Sequence, residues 1–253
     1  MEQVTNDHLV LISGSMTAGK SHSLRYIKNP EGVMYLNCDS GKRLPFKSKF
    51  MSLTITDPFD VLRAISEAEG MADIHTIVVD TFSYLIEMYE LVYVRNSANT
   101  QQAWGDLSSF VNDFFLQYAA KSTKTIIVLG HTIDKVNGDS VLETYVGGKG
   151  SVMKKGIEGF FSTVLTARKV PLKDLRVKDA NDKPMYENAN LTITEDDEIV
   201  GYKHVFQTKL TKDSVNERIR SSWEMWDRNE TFIDNNMQTV IDRLNSYYDE
   251  EEE

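Results

Sequence analysis

Short apolar runs punctuate this chain, separated by stretches of helical spacing. Residues 9–13, 33–37, 76–81 and 125–129 are continuous and rich in aliphatic, often β-branched side chains, the pattern of strands buried on both faces of a parallel sheet. Residues 52–56 alternate like a further strand, and 160–166 and 202–208 predict two late ones. Between them, Asp57 and Pro58 open a helix whose apolar positions are Phe59, Leu62, Ile65 and Ala68. Residues 82–94 predict a second helix, 106–121 a third with Leu107, Phe110, Val111, Phe114, Phe115 and Tyr118 on its buried stripe, and 232–248 a last one carrying Ile233, Met237, Val240, Ile241 and Leu244. Strands alternating with helices predict an α/β domain with a mostly parallel sheet flanked by helices. Two polar stretches, 95–102 and 133–150, read as mobile loops, and 168–187 as an exposed connection.

The first strand runs directly into Gly14, Ser15, Met16, Thr17, Ala18, Gly19, Lys20 and Ser21, which spell GxxxxGKS before a helix-compatible segment, 21–28. This is a phosphate-binding loop in the strand–loop–helix setting that the motif requires. Gly14 and Gly19 allow backbone close to phosphate oxygens, so successive N–H groups can point inward, and the helix start adds its own unpaired N–H groups. Lys20 reaches for the β- and γ-phosphates, the Ser21 hydroxyl for Mg²⁺, and His22 completes the candidate nucleotide-binding set.

Three further strand ends carry polar residues that this loop makes meaningful. Asp39 follows the 33–37 run and is a candidate for holding an attacking water, or else a turn residue in Asp39, Ser40 and Gly41. Asp80 ends a buried run and is placed to serve the Mg²⁺ shell. His131 follows the 125–129 run and is a candidate sensor of the γ-phosphate.

With 253 residues, 41% of them hydrophobic, the chain is long enough for one large domain. The expected division is a core over 1–228 with an exposed insertion at about 168–200, a terminal helix at 229–248 and an acidic tail at 249–253. Cys38 is the single cysteine, so no intrachain disulfide can form, and with no long apolar span the composition predicts a soluble protein of a reducing cytoplasm with no membrane partner. The net charge of −10 argues against nucleic-acid binding through bulk charge, yet residues 131–180 hold nine Lys/Arg against six Asp/Glu. The five acids of the tail read as a solvated end, or as a mimic of nucleic-acid charge.

In this order the phosphate loop, the strands ending in Asp39 and Asp80, the 95–105 loop, the strand ending in Gly130 and His131, and the 133–150 loop resemble the RecA-like ATPase core over roughly residues 7–220. More narrowly, the size, His131, the Trp104–Gly105 pair and the acidic end resemble phage-encoded nucleotide-binding proteins, among them the short RecA-core single-strand annealing proteins. The resemblance implies a P-loop NTPase fold with a C-terminal β extension and terminal helix, and ATP and Mg²⁺ as cofactors. It also implies catalysis involving Lys20, Asp39, Asp80 and His131, and a homo-oligomer, ring or filament, in a bacterial host's cytoplasm. Single-stranded DNA would be held by the two loops and the neighbouring basic residues Arg95, Lys135, Lys149, Lys154 and Lys155, with a single-strand DNA-binding protein as a further partner. A basic residue would complete a neighbour's site, with Lys212, Arg218 and Arg220 as candidates. Two positions depart from the pattern: Asp39 stands where the family has glutamate, and His131 where it has glutamine. Two other activities share the phosphate loop. One is a DNA-annealing or mediator protein that uses ATP as a structural ligand. The other is a nucleotide kinase, which would place the Asp80 strand directly beside the phosphate-loop strand, whereas the RecA-like order inserts the 125–129 strand between them.

Overall fold

A computed structural model describes residues 5–248. Among these residues nine strands form the sheet: β1 (Leu9–Gly14), β2 (Val33–Asn37), β3 (Met51–Thr54), β4 (Thr76–Asp80), β5 (Thr125–Asn137), β6 (Ser140–Val146), β7 (Thr163–Pro171), β8 (Tyr202–Gln207) and β9 (Phe232–Asp234). Their order is β3-β2-β4-β5-β1-β7-β8-β9, with β6 paired to β5 alone. From β3 to β7 all pairings along this path are parallel, and β8 and β9 close that edge antiparallel. The phosphate-loop strand β1 thus lies between β5 and β7, and β5 separates it from β4. This is the RecA-like order, and it sets the kinase arrangement aside.

Successive side chains of a strand point to opposite faces, so each central strand supplies two cores. Leu9 and Leu11 face the helices α1 (Phe59–Glu69), α2 (Phe82–Tyr89) and α3 (Thr100–Asp113), while Val10 and Ile12 face α6 (Met237–Tyr248) and the buried Trp226. A smaller cluster of Val170, Leu172, Leu175, Val205 and Phe232 seats Tyr186, Leu191 and Ile193 of the segment that carries the short helices α4 (Leu172–Leu175) and α5 (Glu195–Val200). No helix among the described residues is long and apolar enough to cross a membrane.

Several elements depart from the sequence expectation. The segment after the phosphate loop is a single 3-10 stretch, Ser21–Tyr26, because Asn29 adopts a left-handed conformation before Pro30 and turns the chain into β2. The loop at 95–102 shrinks to 95–99, since the Asn99 side chain caps α3 by accepting from the Gln102 N–H. The expected loop at 133–150 is largely a β-hairpin: β5 runs on past the sheet and returns as β6 through a turn at Gly138 and Asp139. Gly138 has φ 59, a conformation open to glycine at little cost, and the Asn137–Gly138 pair is a strong hairpin signal. β7 extends to Pro171, so residues 168–171 belong to the sheet. The final helix begins at Met237, because Phe232–Asp234 pair with β8 instead. The acidic tail at 249–253 lies outside the described residues.

Candidate nucleotide site

The site forms at the carboxyl ends of the parallel strands, on both sides of β1. A cavity of about 430 Å³ is lined by the loop from Met16 to His22 and by Asp39, Asp80 and His131. The catalytic candidates Lys20, Asp39, Asp80 and His131 therefore meet in one space, delivered by four different segments. Ser15 lines an adjoining cleft, and Gly14 closes the loop from below. A Cβ on Gly14 would stand 2.5 Å from the Ala167 carbonyl oxygen on β7, and one on Gly19 would stand 3.0 Å from the His204 ring. Both glycines have positive φ, so neither conformation nor space admits a side chain at Gly14.

Lys20 is buried and its ammonium donates to the carbonyls of Gly14 (2.7 Å) and Ser15 (2.8 Å), with His131 Nδ1 at 3.1 Å. Burial lowers its pKa to about 8, against the opposing pull of Asp80. His131 is lowered to about 4, first by burial and then by the Lys20 charge, so its Nδ1 lone pair is free to accept from Lys20 at neutral pH. Two neighbours hold the histidine: its backbone N–H donates to Ser83 Oγ (3.0 Å), and its ring meets Tyr84 edge to face.

Asp80 is buried at the end of β4 and accepts hydrogen bonds from the Ser21 hydroxyl and from Tyr35 Oη, the latter at 2.8 Å. Burial raises its pKa, opposed by those two bonds and by Lys20. Next to it, Thr81 lines the cavity, while its hydroxyl is buried and has no hydrogen-bond partner among the described residues. Ser21 and Asp80 offer hydroxyl and carboxylate oxygens beside the phosphate cradle, which fits Mg²⁺, a cation that keeps several waters and takes few protein ligands. Asp39 stands at the rim, with its carboxylate 3.4 Å from the Lys42 ammonium.

The DNA candidates fall into two groups. Arg95 and Lys149 converge on Glu90 at the end of α2, at 3.2 and 2.9 Å. Gly150 packs over Trp104 and Leu107, so the two segments read as DNA-facing loops adjoin. Lys154 and Lys155 lie exposed on the next turn, and Lys135 stands exposed on the hairpin. Of the residues expected to reach a neighbour, Arg218 is spent internally: it pairs with Glu143 (2.6 Å) and Glu158 (3.1 Å) and lies over the Tyr145 ring. The Arg220 backbone bridges Val164, and its side chain and that of Lys212 are exposed.

Sequence reasoning missed Tyr35, Thr81, Tyr84, His204, Lys42 and Arg43, all of which line the cavity. Tyr35 was hidden inside an apolar strand. Lys42 and Arg43 follow a candidate turn, and their adjacency to Asp39 was the available signal.

No protein-family model matches the chain, and no curated protein does. Among solved structures it is similar to a KaiC-like protein from the hyperthermophilic archaeon Pyrococcus horikoshii OT3, at 9% identity and a TM-score of 0.41, with 82% of this chain and 80% of that one covered. The RecA-like assignment rests on the strand order and the phosphate loop of this chain.

Proposed function

We propose that this protein is a Mg²⁺-dependent ATPase that acts on single-stranded DNA, as an oligomer, in phage recombination or replication. The observation that carries the reading is the path from Lys20 to His131 and on through β5 into the projecting hairpin. A ligand that draws Lys20 from His131 acts on the root of that arm. Lys135 on the arm, and Arg95, Lys149, Lys154 and Lys155 at its base, form the surface offered to phosphates of the strand.

Gly14 to Gly19 bind the triphosphate with backbone N–H groups, and Lys20 exchanges its loop carbonyls for phosphate oxygens. Ser21 and Asp80 would hold Mg²⁺, which when bound would supply positive charge against the triphosphate. Asp39 orients the attacking water. The nucleotide preference and the cytoplasmic, phage-encoded setting belong to the same proposal and are supported by the sequence resemblance alone.

Lys20→Ala tests the assignment. ATP hydrolysis by the purified variant is expected to drop to background, and turnover equal to the parent's would end the reading. A second reading, ATP as a structural ligand of an annealing or mediator protein, is favoured by the Asp39–Lys42 pair, which engages the carboxylate that should hold water. Annealing that is unchanged in Asp39→Ala and with a non-hydrolysable analogue would select it.

A further inference from the structure

The loop that follows β2 holds two cations at the mouth of the nucleotide cavity. Lys42 and Arg43 both line the space that contains Lys20, Asp39, Asp80 and His131. They are fixed from both sides. Before them, Ser40 (φ 49) and Gly41 (φ 78) make a tight turn in which the Lys42 N–H donates to the Asp39 carbonyl (2.9 Å), and Asn37 Nδ2 donates to the Lys42 carbonyl (2.8 Å). After them, Leu44, Phe46 and Phe50 pack on the core that includes Tyr35. Tyr35 in turn donates to Asp80. The basic pair thus lies between two anchors, the second of which leads through Tyr35 to the Asp80 carboxylate.

The two side chains are exposed, and Arg43 makes no ion pair among the described residues. Lys42 sits near enough to His131 to contribute to holding that imidazole neutral. Arg218, by contrast, is locked between two carboxylates and a tyrosine ring.

Resting on the ATPase reading, we propose that Lys42 and Arg43 supply, within the same chain, the positive charge that stabilises the transferred phosphoryl group. In the reaction the water oxygen forms a bond to the γ-phosphorus, and the bond to the β–γ bridging oxygen breaks with its electron pair leaving on ADP. One water proton stays on inorganic phosphate, and the other leaves to solvent past Asp39. Charge accumulates on the γ oxygens and the bridging oxygen, in the cavity that Lys20 and the basic pair line together. The Lys42–Asp39 contact gives the pair a resting partner, which the phosphate oxygens replace.

The test uses the full chain and four proteins: parent, Lys20→Ala, the double variant Lys42→Ala/Arg43→Ala, and the charge-keeping Lys42→Arg/Arg43→Lys. The double alanine variant is expected to lose turnover by roughly 100-fold, with an unchanged melting temperature because the side chains are exposed. Its affinity for a fluorescent ATP analogue is expected to fall more than that for the matching ADP analogue. The charge-keeping variant is expected to retain at least a tenth of the parent's turnover. Mixing the double alanine variant with Lys20→Ala, which carries an intact basic pair, is expected to restore nothing. Turnover within twofold of the parent, or recovery on mixing, overturns the inference and leaves the ATPase reading standing. Loss of single-strand DNA affinity with hydrolysis intact also overturns it and places the pair on the DNA surface instead. A Lys20→Ala protein that hydrolyses ATP as the parent does ends the ATPase reading and this inference with it.

Discussion

The two halves of β5 share one strand and little else. From Ile126 to Gly130 it is buried between β4 and β1, while from Asp134 to Asn137 it is exposed and paired only with β6. The buried half is fixed by packing on both faces. The outer half is held by one antiparallel ladder with a register shift between Lys135 and Val136, and its partner β6 by Asn216, which donates to Val141 and accepts from Thr144, and by the Arg218–Glu143 ion pair. His131 sits where the two meet and touches Lys20. A rigid strand rooted in the sheet thus ends in an arm whose own contacts are few, the division expected where a ligand at one end is to be felt at the other.

Stability shows the contrast most strongly. Ile127→Ala is expected to cost about 2–5 kcal/mol, because it empties a fully packed site, whereas Val136→Ala on the arm is expected to change stability by no more than about 0.5 kcal/mol. Urea unfolding of both variants checks this, and equal losses would erase the distinction. Replacing residues 134–143 with a two-residue Asn-Gly turn is expected to leave nucleotide binding in place and weaken single-strand DNA binding by at least about tenfold. Smaller again, removing the charge of Lys135 or Lys149 is expected to lower the slope of log affinity against log salt by about 0.7 each, the value for one phosphate contact on a single strand.

A separate effect lies in pH. Lys20 has a folded pKa of about 8 against 10.5 for the free group, so between those values the unfolded chain binds more protons and stability rises with pH; below about 8 both states are protonated and the cost of burying the charge is full. His131, lowered from 6.5 to about 4, adds stability that is complete above pH 6.5 and lost as pH falls toward 4. Phosphate beside Lys20 should raise its pKa, so ATP binding near pH 8 is expected to take up a proton, measurable by calorimetry in buffers of different ionisation enthalpy. Lys20→Ala is expected to abolish both the alkaline rise and the uptake.

The same contrast governs what could be read from sequence. The buried half of β5, like β1, β2 and β4, announces itself as an unbroken apolar run, and GxxxxGKS spells out its own geometry. The arm is polar and has no core to face, so its strands left no burial pattern, and the Asn137–Gly138 turn was its only mark. Contacts between distant segments were hidden for a different reason. Tyr35 meets Asp80 because β2 pairs with β4, and the Lys42–Arg43 pair enters the cavity because its loop is pinned at both ends. Arg218 looked available in one dimension and is enclosed in three.

The central claim is that a nucleotide at Lys20 and a strand at the hairpin communicate through β5. ATP hydrolysis measured with and without single-stranded DNA tests it most directly. The account predicts that DNA stimulates turnover in the parent and that Lys20→Ala shows none in either condition. Turnover that is the same with and without DNA would contradict it.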